Sequence, residues 1–398
     1  MIDPLSPAHF PGAKSWVKQC RQEAENILQW WMDHTVDEQN GGFYGRIDGK
    51  GVLHPEAQKG IVLNTRILWG FSIAARVLGK PEYRRLADRA FDYLCRYFWD
   101  AEYGGVYWMI DHKGNPTQSH KHIYAQAFAV YAFSEYYLCS KKPEALQKAL
   151  EQFRLIEKHS RDPKLGGYFE WCERDWTIPA TLRNGGEQAG QAKTMNTHLH
   201  LMEAFTWLWI ATKDPGAREA LEHQLDCHLN HIISPHHHLI LYLDENWTPS
   251  GHEVSYGHDI ECTWLILEAA ESLGQGERIK EVALKMAEKA LAKGLDTDGG
   301  MYYEADENYQ LTRPQKDWWP QCEAMVGFLN AWQLTQDKNY WKAARNSWQF
   351  IQTEIIDRQN GEWFWTAGAD KHNGDKAGPW KAPYHNLRCC LEVMKRLG

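Results

Sequence analysis

The sequence predicts an all-α (α/α)6 barrel, a toroid in which six helical hairpins close into a ring with short β-hairpin loops at one mouth. Three observations support this fold class: a glycine–aromatic motif that recurs at a fixed period, two helical stretches in each period, and terminal helices without the polar outer face that an open array needs. We expect a single domain over residues 1–398.

The recurring motif is a glycine pair (Gly-Glu in the last copy) followed by alternating aromatic residues. Its five clear copies occupy residues 40–45, 103–108, 165–170, 298–303 and 360–365, which start 63, 62, 133 and 62 residues apart. Glycine tolerates turn conformations that other residues resist, and the alternation after it is typical of a short strand. The gap of 133 residues is about two periods, so we predict one degenerate copy at 238–242.

Each interval between motifs contains two stretches whose apolar residues recur every three or four positions, which is the period of a helix face. Residues 80–97, 120–139 and 143–159 are examples. Two helices in each of six periods predict twelve helices. The terminal stretches, 19–32 and 384–394, are amphipathic and apolar-rich respectively. Closure into a ring is therefore favoured over the alternative, an open helical solenoid.

Composition and charge exclude several classes of function. Hydrophobic residues make up 43% of the chain, enough for a large core, and the net charge of -8 comes without a basic cluster, so we expect no nucleic-acid partner. Residues 1–12 lack the features of a signal peptide, no run of 18 apolar residues predicts a membrane span, and the nine cysteines lack CxxC spacing. We expect a cytoplasmic monomer or homodimer with reduced thiols and no membrane partner.

Aromatic residues are unusually frequent, with 20 Trp, 18 Tyr and 13 Phe, and many of them lie in the loops of the repeated motif. A bulky core would use such residues. So would a carbohydrate site, in which the apolar faces of pyranose rings stack on flat aromatic side chains. The position in loops favours a small-molecule sugar as the ligand.

In a toroid, the helix after each motif is the candidate inner helix, and each of these carries polar residues. One set recurs at spacings of 58, 76, 58, 65 and 62 residues: Arg66, Tyr124, His200, His258, Glu323 and His385. Because they follow the period of the fold, we expect them to converge at one height of the pore. Helical spacing of three or four places three more residues on the same faces: Asn196, Glu261 and Trp319. His198 must point elsewhere, and residues 236–238, all histidines, are expected in a surface loop.

Four longer motifs surround these residues: Lys-Thr-Met-Asn-Thr-His-Leu-His at 193–200, Ser-Tyr-Gly-His-Asp-Ile-Glu at 255–261, Trp-Trp-Pro-Gln-Cys-Glu-Ala at 318–324 and Gly-Pro-Trp-Lys-Ala-Pro-Tyr-His-Asn at 378–386. In these motifs, their order and their spacing, the chain resembles the N-acylglucosamine 2-epimerase superfamily, most closely its cellobiose 2-epimerases. The resemblance extends over essentially the whole chain. It implies an (α/α)6 barrel, reversible epimerisation at C2 of a reducing-end sugar, and neither a metal nor a redox cofactor.

The resemblance also implies roles, carried over motif by motif. His258 and His385 correspond to the acid/base pair, and His200 corresponds to an assisting residue. Seven residues correspond to sugar-binding or supporting positions: Arg66, Tyr124, Asn196, Glu261, Trp319, Glu323 and Trp380. The substrate that this comparison favours is a β-1,4-linked disaccharide such as cellobiose or lactose.

The residue types suit this chemistry. The C2 hydrogen of an aldose becomes removable only when C1 is an open-chain carbonyl, so the site must open the ring, take the proton and stabilise an enediolate. Histidine titrates near pH 6.5, so we expect it to take and return a proton without a large pKa shift. Inversion at C2 needs proton delivery to the opposite face, which His258 and His385 can provide from different repeats. Arg66 carries a permanent charge that suits the developing oxyanion.

Four alternatives stay open. A mannose 2-epimerase or aldose–ketose isomerase of the same family would share the motifs. A glycoside hydrolase would use Glu261 and Glu323 as its carboxyl pair. A metalloenzyme would use His200, His258, Glu261 and His385 as ligands. A non-catalytic sugar-binding protein would need only the aromatic platforms.

Overall fold

The computed structural model describes residues 12–183 and 186–398, and within them it forms the predicted ring of six helical hairpins. The described part of the chain has twelve α-helices: α1 (Ala13–His34), α2 (Ile61–Leu78), α3 (Pro81–Tyr93), α4 (Ile123–Ser140), α5 (Pro143–His159), α6 (Met195–Thr212), α7 (Pro215–Cys227), α8 (Tyr256–Ser272), α9 (Gly276–Lys293), α10 (Trp318–Thr335), α11 (Lys338–Phe350) and α12 (His385–Leu397). Residues 1–11, on which the signal-peptide prediction largely rests, lie outside the described residues.

Short strands lie between the helices: β1 (Lys59–Gly60), β2 (Met109–Ile110), β3 (Pro116–Gln118), β4 (Lys121–His122), β5 (Trp171–Cys172), β6 (Lys193–Thr194), β7 (Tyr242–Leu243), β8 (Glu253–Ser255), β9 (Glu304–Asp306) and β10 (Leu311–Arg313). They form antiparallel sheets in the orders β1-β2-β3, β10-β9-β8, β4-β5 and β6-β7. β1, β4, β6 and β8 lead directly into α2, α4, α6 and α8. The sheets therefore surround the N-terminal ends of these helices, at one mouth of the ring, as predicted.

Burial separates the helices into an inner and an outer set. Every residue of α10 from Trp318 to Trp332 is buried, and the other even-numbered helices are nearly as enclosed. The odd-numbered helices are amphipathic, and α3 shows the spacing of a single buried face: Tyr83, Leu86, Ala87 and Ala90. A helix buried on all sides needs neighbours all round, so the even-numbered helices line the pore and the odd-numbered helices wrap them.

The two ends of the chain close the ring. α1, the first outer helix, packs on α12, the last inner helix. Trp31 of α1 donates its indole N–H to Glu362 at 2.9 Å. Gly70 of α2 lies so close to the segment before α12 that a Cβ there would come within 2.6 Å of the Pro383 carbonyl oxygen. The first and last inner helices are therefore neighbours, and the alternative of an open solenoid is wrong.

The repeated motif forms the same turn in all six periods, each closed by one β-bridge. The bridges are Val36–Phe43, Trp99–Val106, Arg161–Tyr168, Ile233–Leu239, Leu295–Met301 and Ile356–Trp363. The fourth bridge falls in the stretch that lacks glycines, so the predicted degenerate copy at 238–242 is confirmed. In the first copy Gly41 and Gly42 have φ of 80° and 62°, the left-handed region that side chains other than glycine resist.

In four of the six repeats, those of α4, α6, α8 and α10, the fourth residue of the inner helix binds the backbone of the preceding turn. In α4 that residue is Gln126, whose amide accepts from the Val106 N–H at 2.9 Å and donates to the Val106 carbonyl at 2.8 Å. In α8 it is Asp259, whose Oδ1 accepts from the Leu239 N–H at 2.8 Å. Burial raises the pKa of Asp259 to about 8, because a charged carboxylate in this position would be poorly solvated. The fourth repeat thus uses an acid where the second uses an amide.

By length and composition α2 could cross a membrane, the one helix of which this is true in the described part of the chain. However, 72% of its residues are buried among the other helices of the ring. It also carries Arg66 in its second turn. Its apolar character is therefore explained by its position as an inner helix.

Candidate active site

The N-terminal ends of the inner helices surround a cavity of about 280 Å³. Nine of the ten residues predicted for the site line it: Arg66, Tyr124, Asn196, His200, His258, Glu261, Trp319, Trp380 and His385. The tenth, Glu323, lies behind His385 and binds its ring. The predicted convergence of these residues at one height of the pore is therefore observed.

Helix position explains why these residues meet. Those on helices all lie within the first six residues of an inner helix, from His385 at the first position of α12 to Arg66 at the sixth position of α2. The helices run side by side in the ring, so equal distance from the N-terminus means equal height in the pore. Their N-terminal ends carry partial positive charge, which favours an anion that develops in the cavity.

Each of the three predicted histidines has its Nδ1 fixed by a neighbour. His385 Nδ1 lies 2.7 Å from Glu323 Oε1, and His200 Nδ1 lies 2.9 Å from Glu203 Oε2. A carboxylate accepts the Nδ1–H proton, which leaves Nε2 of these rings as a free base directed away from the carboxylate. His258 Nδ1 lies 2.7 Å from Ser255 Oγ, a hydroxyl that can either donate or accept. The site thus combines two imidazoles of fixed tautomer with one that can exchange its tautomer.

Burial changes the acid–base character of these rings. It lowers the pKa of His258 to about 3, with repulsion from a charged His200 as a further cause. It also lowers the pKa of His200, and it lowers that of His385 well below the usual value with help from the positive charges of Arg66 and Arg388. The expectation of histidines that titrate near pH 6.5 is therefore wrong. The reason is desolvation of the imidazolium form, and the rings are neutral bases at neutral pH.

His198, which the spacing directed away from His200, does point elsewhere. Its Nδ1 lies 2.7 Å from the Thr194 carbonyl and its Nε2 accepts from the Tyr168 N–H at 3.0 Å. It therefore serves as the anchor of α6 to the third turn. Residues 236–238 lie in a turn at the surface, as expected.

Below the histidines lies a buried ion cluster that sequence reasoning missed. The guanidinium of Arg388 donates to Glu203, Glu261 and Glu323, the last at 2.8 Å. A sequence signal for it existed, because each site histidine is followed three residues later by a charged residue: Glu203 after His200, Glu261 after His258 and Arg388 after His385. Three residues are nearly one helical turn, so each of these charged side chains lies on the same helix face as its histidine, one turn deeper in the pore.

The three carboxyls around Arg388 differ in acidity. Arg388 and His200 lower the pKa of Glu203 to about 2 against the effect of burial. Burial and the negative charge of Glu323 raise the pKa of Glu261 to about 8, and burial raises that of Glu323. One guanidinium cannot neutralise three carboxylates, so the cluster holds a proton at neutral pH.

Glu261, Glu323 and His385 present donor atoms within 4.8 Å of one another, as a metal site would require. Two of these residues already bind the Arg388 guanidinium, and His385 uses its Nδ1 on Glu323. A divalent cation would therefore sit beside a permanent positive charge and compete with it for the same oxygens. The donor set fits an ion-paired cluster better than a metal.

Arg66 is held against the wall of the cavity by two hydrogen bonds, and its Nε–H has no partner. It donates to the Tyr124 hydroxyl at 2.7 Å and to the Trp380 carbonyl at 3.1 Å, and its Nε is buried without a partner. Asn196 Oδ1 and Glu261 Oε2 are likewise buried without partners. Buried polar atoms are almost always satisfied, so unpaired ones on residues that share a cavity indicate a polar ligand.

Aromatic rings form the remaining walls. Trp319 contacts two of the histidines, with ring centroids 4.6 Å from His258 and 5.7 Å from His385. Trp380 is 46% exposed, which leaves its ring open to a ligand. Three further lining residues were not predicted: Tyr303, Trp318 and Trp365. Tyr303 and Trp365 occupy the sixth position of their motif copies, so the repeat itself held the signal.

Known proteins match this chain over most of its length. The profile of the family described as N-acylglucosamine 2-epimerase (GlcNAc 2-epimerase) matches residues 42–389. The chain belongs to this family. A cellobiose 2-epimerase of Bacteroides fragilis is 41% identical over 374 residues, which cover 92% of this chain and 95% of that protein.

Solved structures agree with the sequence relatives. The cellobiose 2-epimerase of Bacillus thermoamylovorans has 37% identity and a TM-score of 0.91, over 96% of this chain and 100% of that chain. The cellobiose 2-epimerase of Spirochaeta thermophila has 38% identity and a TM-score of 0.90, over 97% and 98%. The (α/α)6 barrel and the class of carbohydrate epimerase, an isomerase, are thereby established, as the resemblance implied.

Proposed function

We propose that this protein is a cellobiose 2-epimerase, which interconverts the C2 epimers of the reducing-end glucose of β-1,4-linked disaccharides. Cellobiose would give glucosyl-mannose, and lactose would give epilactose. The relatives named cellobiose 2-epimerase support this substrate. The observation that carries the chemistry is that three neutral imidazoles from separate inner helices line one cavity, each with Nδ1 held by a neighbour.

In the proposed reaction the sugar first opens to its aldehyde form. One of His258 and His385 removes the C2 proton through Nε2, and the charge passes to the C1 oxygen as an enediolate. Arg66, through its unpaired Nε–H, and the N-terminal ends of the inner helices stabilise that charge. The other histidine, after taking a proton from solvent on its Nε2, gives that proton to the opposite face of C2, and the first histidine releases the C2 proton to solvent.

The lowered histidine pKa values keep the rings neutral, and therefore able to accept a proton, at neutral pH. A neutral imidazole is competent to accept the C2 proton, and an imidazolium with a depressed pKa gives its proton back readily. Glu323 holds the orientation of His385 and compensates the charge that it acquires. His200, fixed by Glu203, assists from the third side of the cavity. Trp319 and Trp380 offer flat apolar faces to the sugar.

The hydrolase alternative receives no support from the geometry of its carboxyl pair. Glu261 and Glu323 both point at the Arg388 guanidinium, which holds them together, whereas a hydrolase sets its two carboxyls on opposite sides of a glycosidic bond. The fold and the family, by contrast, are common to all the epimerase alternatives. A test with several sugars therefore has to choose among them.

The decisive experiment is incubation of the purified protein with cellobiose, lactose and mannose in heavy water, followed by NMR of the products. We expect glucosyl-mannose and epilactose that carry deuterium at C2. Conversion of mannose alone would replace the proposal with a mannose epimerase or isomerase. Release of monosaccharides from cellobiose would indicate a hydrolase, and unchanged sugars would indicate a binding protein. Loss of activity in a chelator, restored by a metal, would indicate a metalloenzyme.

Further expectations belong to this proposal. The enzyme would work in the cytoplasm, as a monomer or homodimer, on a small-molecule sugar and without a metal. The whole chain, 1–398, would act as one catalytic domain. Sedimentation of the purified protein and metal analysis of the active fraction check the oligomeric state and the metal content directly.

A further inference from the structure

Where a glutamine is the fourth residue of an inner helix, its amide makes two hydrogen bonds to the preceding turn. In α10, Gln321 Oε1 accepts from the Met301 N–H at 2.7 Å and Gln321 Nε2 donates to the Met301 carbonyl at 2.9 Å. Gln126 of α4 binds Val106 in the same way. Met301 and Val106 both follow the glycine pair of their motif copy. The amide therefore fixes the first turn of the helix, where the site residues lie, to the backbone of the motif.

The helix that carries His385 does not use this anchor. The fourth residue of α12 is Arg388, whose guanidinium binds three buried carboxylates instead. The turn residue equivalent to Met301 is Trp363. Its N–H donates to Glu362 Oε2, and its carbonyl accepts from Lys381 Nζ. A carboxylate and an ammonium group therefore make the two hydrogen bonds that a glutamine amide makes in α4 and α10.

Glu362 occupies a position that is glycine in the other clear copies of the motif. In the first three copies the residue is Gly42, Gly105 and Gly167, with φ of 62°, 72° and 74°, and Glu362 has φ of 57°. This left-handed conformation is unfavourable for a residue with a Cβ atom, and it persists where the surroundings hold the residue in place. The strain at this position indicates that the side chain of Glu362 has a role that glycine could not fill.

The contacts of the Glu362 carboxylate show what that role is. Oε2 lies 3.1 Å from Lys381 Nζ, and both side chains are fully buried. Oε1 accepts from Asn386 Nδ2 at 2.8 Å and from the Trp31 indole N–H at 2.9 Å. Asn386 is the second residue of α12 and directly follows His385. One carboxylate thus joins the sixth turn, α1 and the first turn of α12.

Lys381 fixes the segment that leads into α12. Gly378 and Lys381 exchange two backbone hydrogen bonds, of 3.0 and 3.1 Å, so residues 378–381 form a closed turn. Within this turn the Trp380 carbonyl accepts from Arg66 at 3.1 Å. Strands lead directly into α2, α4, α6 and α8, whereas the described chain between α11 and α12 has none. The buried ammonium group of Lys381 therefore ties this segment to the sixth turn.

We propose that Glu362 and Lys381 are positioning residues for the reaction: they replace the anchor at the fourth position of α12 and hold His385 at the height of the other site residues. This arrangement leaves the fourth position to Arg388, which binds Glu323 behind His385. A glutamine at that position could bind the turn but would remove the guanidinium from the cluster. The inference rests on the proposed function, because it concerns the histidine to which we assign proton transfer at C2.

The first test is Glu362→Gly, which restores the residue of the other copies. If Glu362 served only the turn, glycine would be accepted without loss, because it relieves the left-handed strain. We expect instead that kcat for cellobiose falls about 10- to 100-fold while KM changes by less than about threefold, since His385 loses its fixed position. Wild-type kcat in this variant, with the fold verified by circular dichroism, would overturn the proposal.

A matched pair of variants separates positioning from stability. Glu362→Gln keeps the shape of the side chain but leaves the Lys381 charge unpaired. Asp357→Asn does the same to Lys376, which lies 2.7 Å from Asp357 in the same turn, with both side chains buried. The Asp357 carboxylate binds residues 359, 360 and 376 and so does not reach α12.

Both variants should lower the melting temperature, because each leaves a buried lysine without its counter-charge. Only Glu362→Gln should lower kcat, by about 3- to 10-fold, which is less than the loss in Glu362→Gly. Asp357→Asn should keep kcat within about twofold. Equal falls in kcat for Glu362→Gln and Asp357→Asn would overturn the proposal, because the effect would then follow stability. Unchanged kcat in Glu362→Gln would overturn it as well.

NMR of the histidine rings in protein labelled with ¹⁵N-histidine separates this inference from the proposed function. The Nδ1–H resonance of His385 is assigned by its loss in His385→Asn, and it should shift or disappear in Glu362→Gly but not in Asp357→Asn. If wild type epimerises no sugar but this resonance depends on Glu362, the proposed function fails and the positioning role stands. If wild type epimerises cellobiose but neither kcat nor the resonance responds to Glu362, the proposed function stands and the positioning role is wrong.

Discussion

The two ends of the pore are built from the same inner helices but differ in how their polar groups are satisfied. At the end formed by the C-terminal turns, charged residues form ion pairs between helices, Arg76 with Glu135 at 2.7 Å and Lys395 with Glu268 at 3.1 Å, and within α12, Arg396 with Glu392 at 3.0 Å. None of these six described side chains retains a buried nitrogen or oxygen without a partner. The charged side chains at this end are therefore satisfied by one another.

The end formed by the N-terminal turns differs, because several of its buried polar atoms have no hydrogen-bond partner. Arg66 Nε, Asn196 Oδ1 and Glu261 Oε2 are buried and unpaired, and the site histidines have one ring nitrogen fixed and the other available. Unpaired buried polar groups cost stability, so they persist where a ligand supplies the missing partners. Among these groups, those without partners are the ones that line the candidate active site.

The largest effect is expected from the histidines at the N-terminal end. His258→Ala and His385→Ala should each lower kcat for cellobiose by about 10²- to 10⁴-fold, because in the proposed mechanism each of these residues moves the C2 proton. Lys395→Gln at the far end, where the side chain is 55% exposed, should leave kcat within about twofold. NMR of epimer formation measures the rates, and circular dichroism checks the fold. Full activity in either histidine variant would remove that residue from the mechanism.

A smaller loss is expected from the residue behind His385. Glu323→Gln keeps the shape of the side chain but removes the charge that balances an imidazolium, so kcat should fall about tenfold with KM changed by less than about threefold. The matched change at the far end is Glu392→Gln, which should leave kcat unaltered. A rise in KM instead of a fall in kcat would show that Glu323 contributes by binding the sugar and not by supporting His385.

The pH dependence should be weaker than that of an ordinary histidine enzyme. A base works when deprotonated, and burial has lowered the pKa of His258 to about 3 and that of His200 and His385 below the usual value. Activity should therefore hold as pH falls from 7 to about 5, and any acid loss should come below that. The measurement is kcat/KM as a function of pH. It is made in Glu170→Gln, because burial raises the pKa of Glu170 to about 7 and its titration would otherwise overlap the range of interest. A loss of activity centred at pH 6 to 7 would contradict it.

The smallest effect on activity, with a measurable one on stability, is expected from Asp259→Asn. The pKa of Asp259 is about 8 in the folded state and about 3.9 in the unfolded chain. As pH rises, the carboxyl therefore loses its proton at a lower pH in the unfolded chain than in the folded protein. The penalty to folding is absent below pH 4 and grows up to pH 8. The amide keeps the acceptor for Leu239, so the variant should gain stability over wild type at pH 7 and gain little at pH 4. Thermal unfolding at pH 4 and pH 7 tests this, and an equal gain at both would contradict it.

Much of the site was predictable because it follows the period of the fold. A repeat that closes into a ring places equivalent positions at equal height, so Arg66, His200 and His385 were expected to meet before any coordinate was known. The same reasoning gave the degenerate fourth copy, whose turn lacks glycines but is closed by the same kind of bridge, Ile233–Leu239. Sequence period and helix geometry were sufficient for these.

Other features could not be predicted from the sequence, because they depend on contacts that the repeat period does not specify. Arg388 meets three carboxylates from three different helices, and Glu170 becomes part of a cavity only when the third turn lies beside α6. The pKa values of the histidines depend on complete desolvation, which no spacing in the sequence measures.

By itself the sequence determined the architecture and which residues line the candidate active site, because both follow from a hydrophobic and glycine pattern repeated about every sixty residues. Only the tertiary structure decided which ring nitrogen of each histidine is held and how protons are shared around Arg388. These depend on distances of a few ångströms between residues far apart in the chain. Electrostatic and hydrogen-bond energies change steeply over such distances, whereas the burial pattern that sets the fold does not.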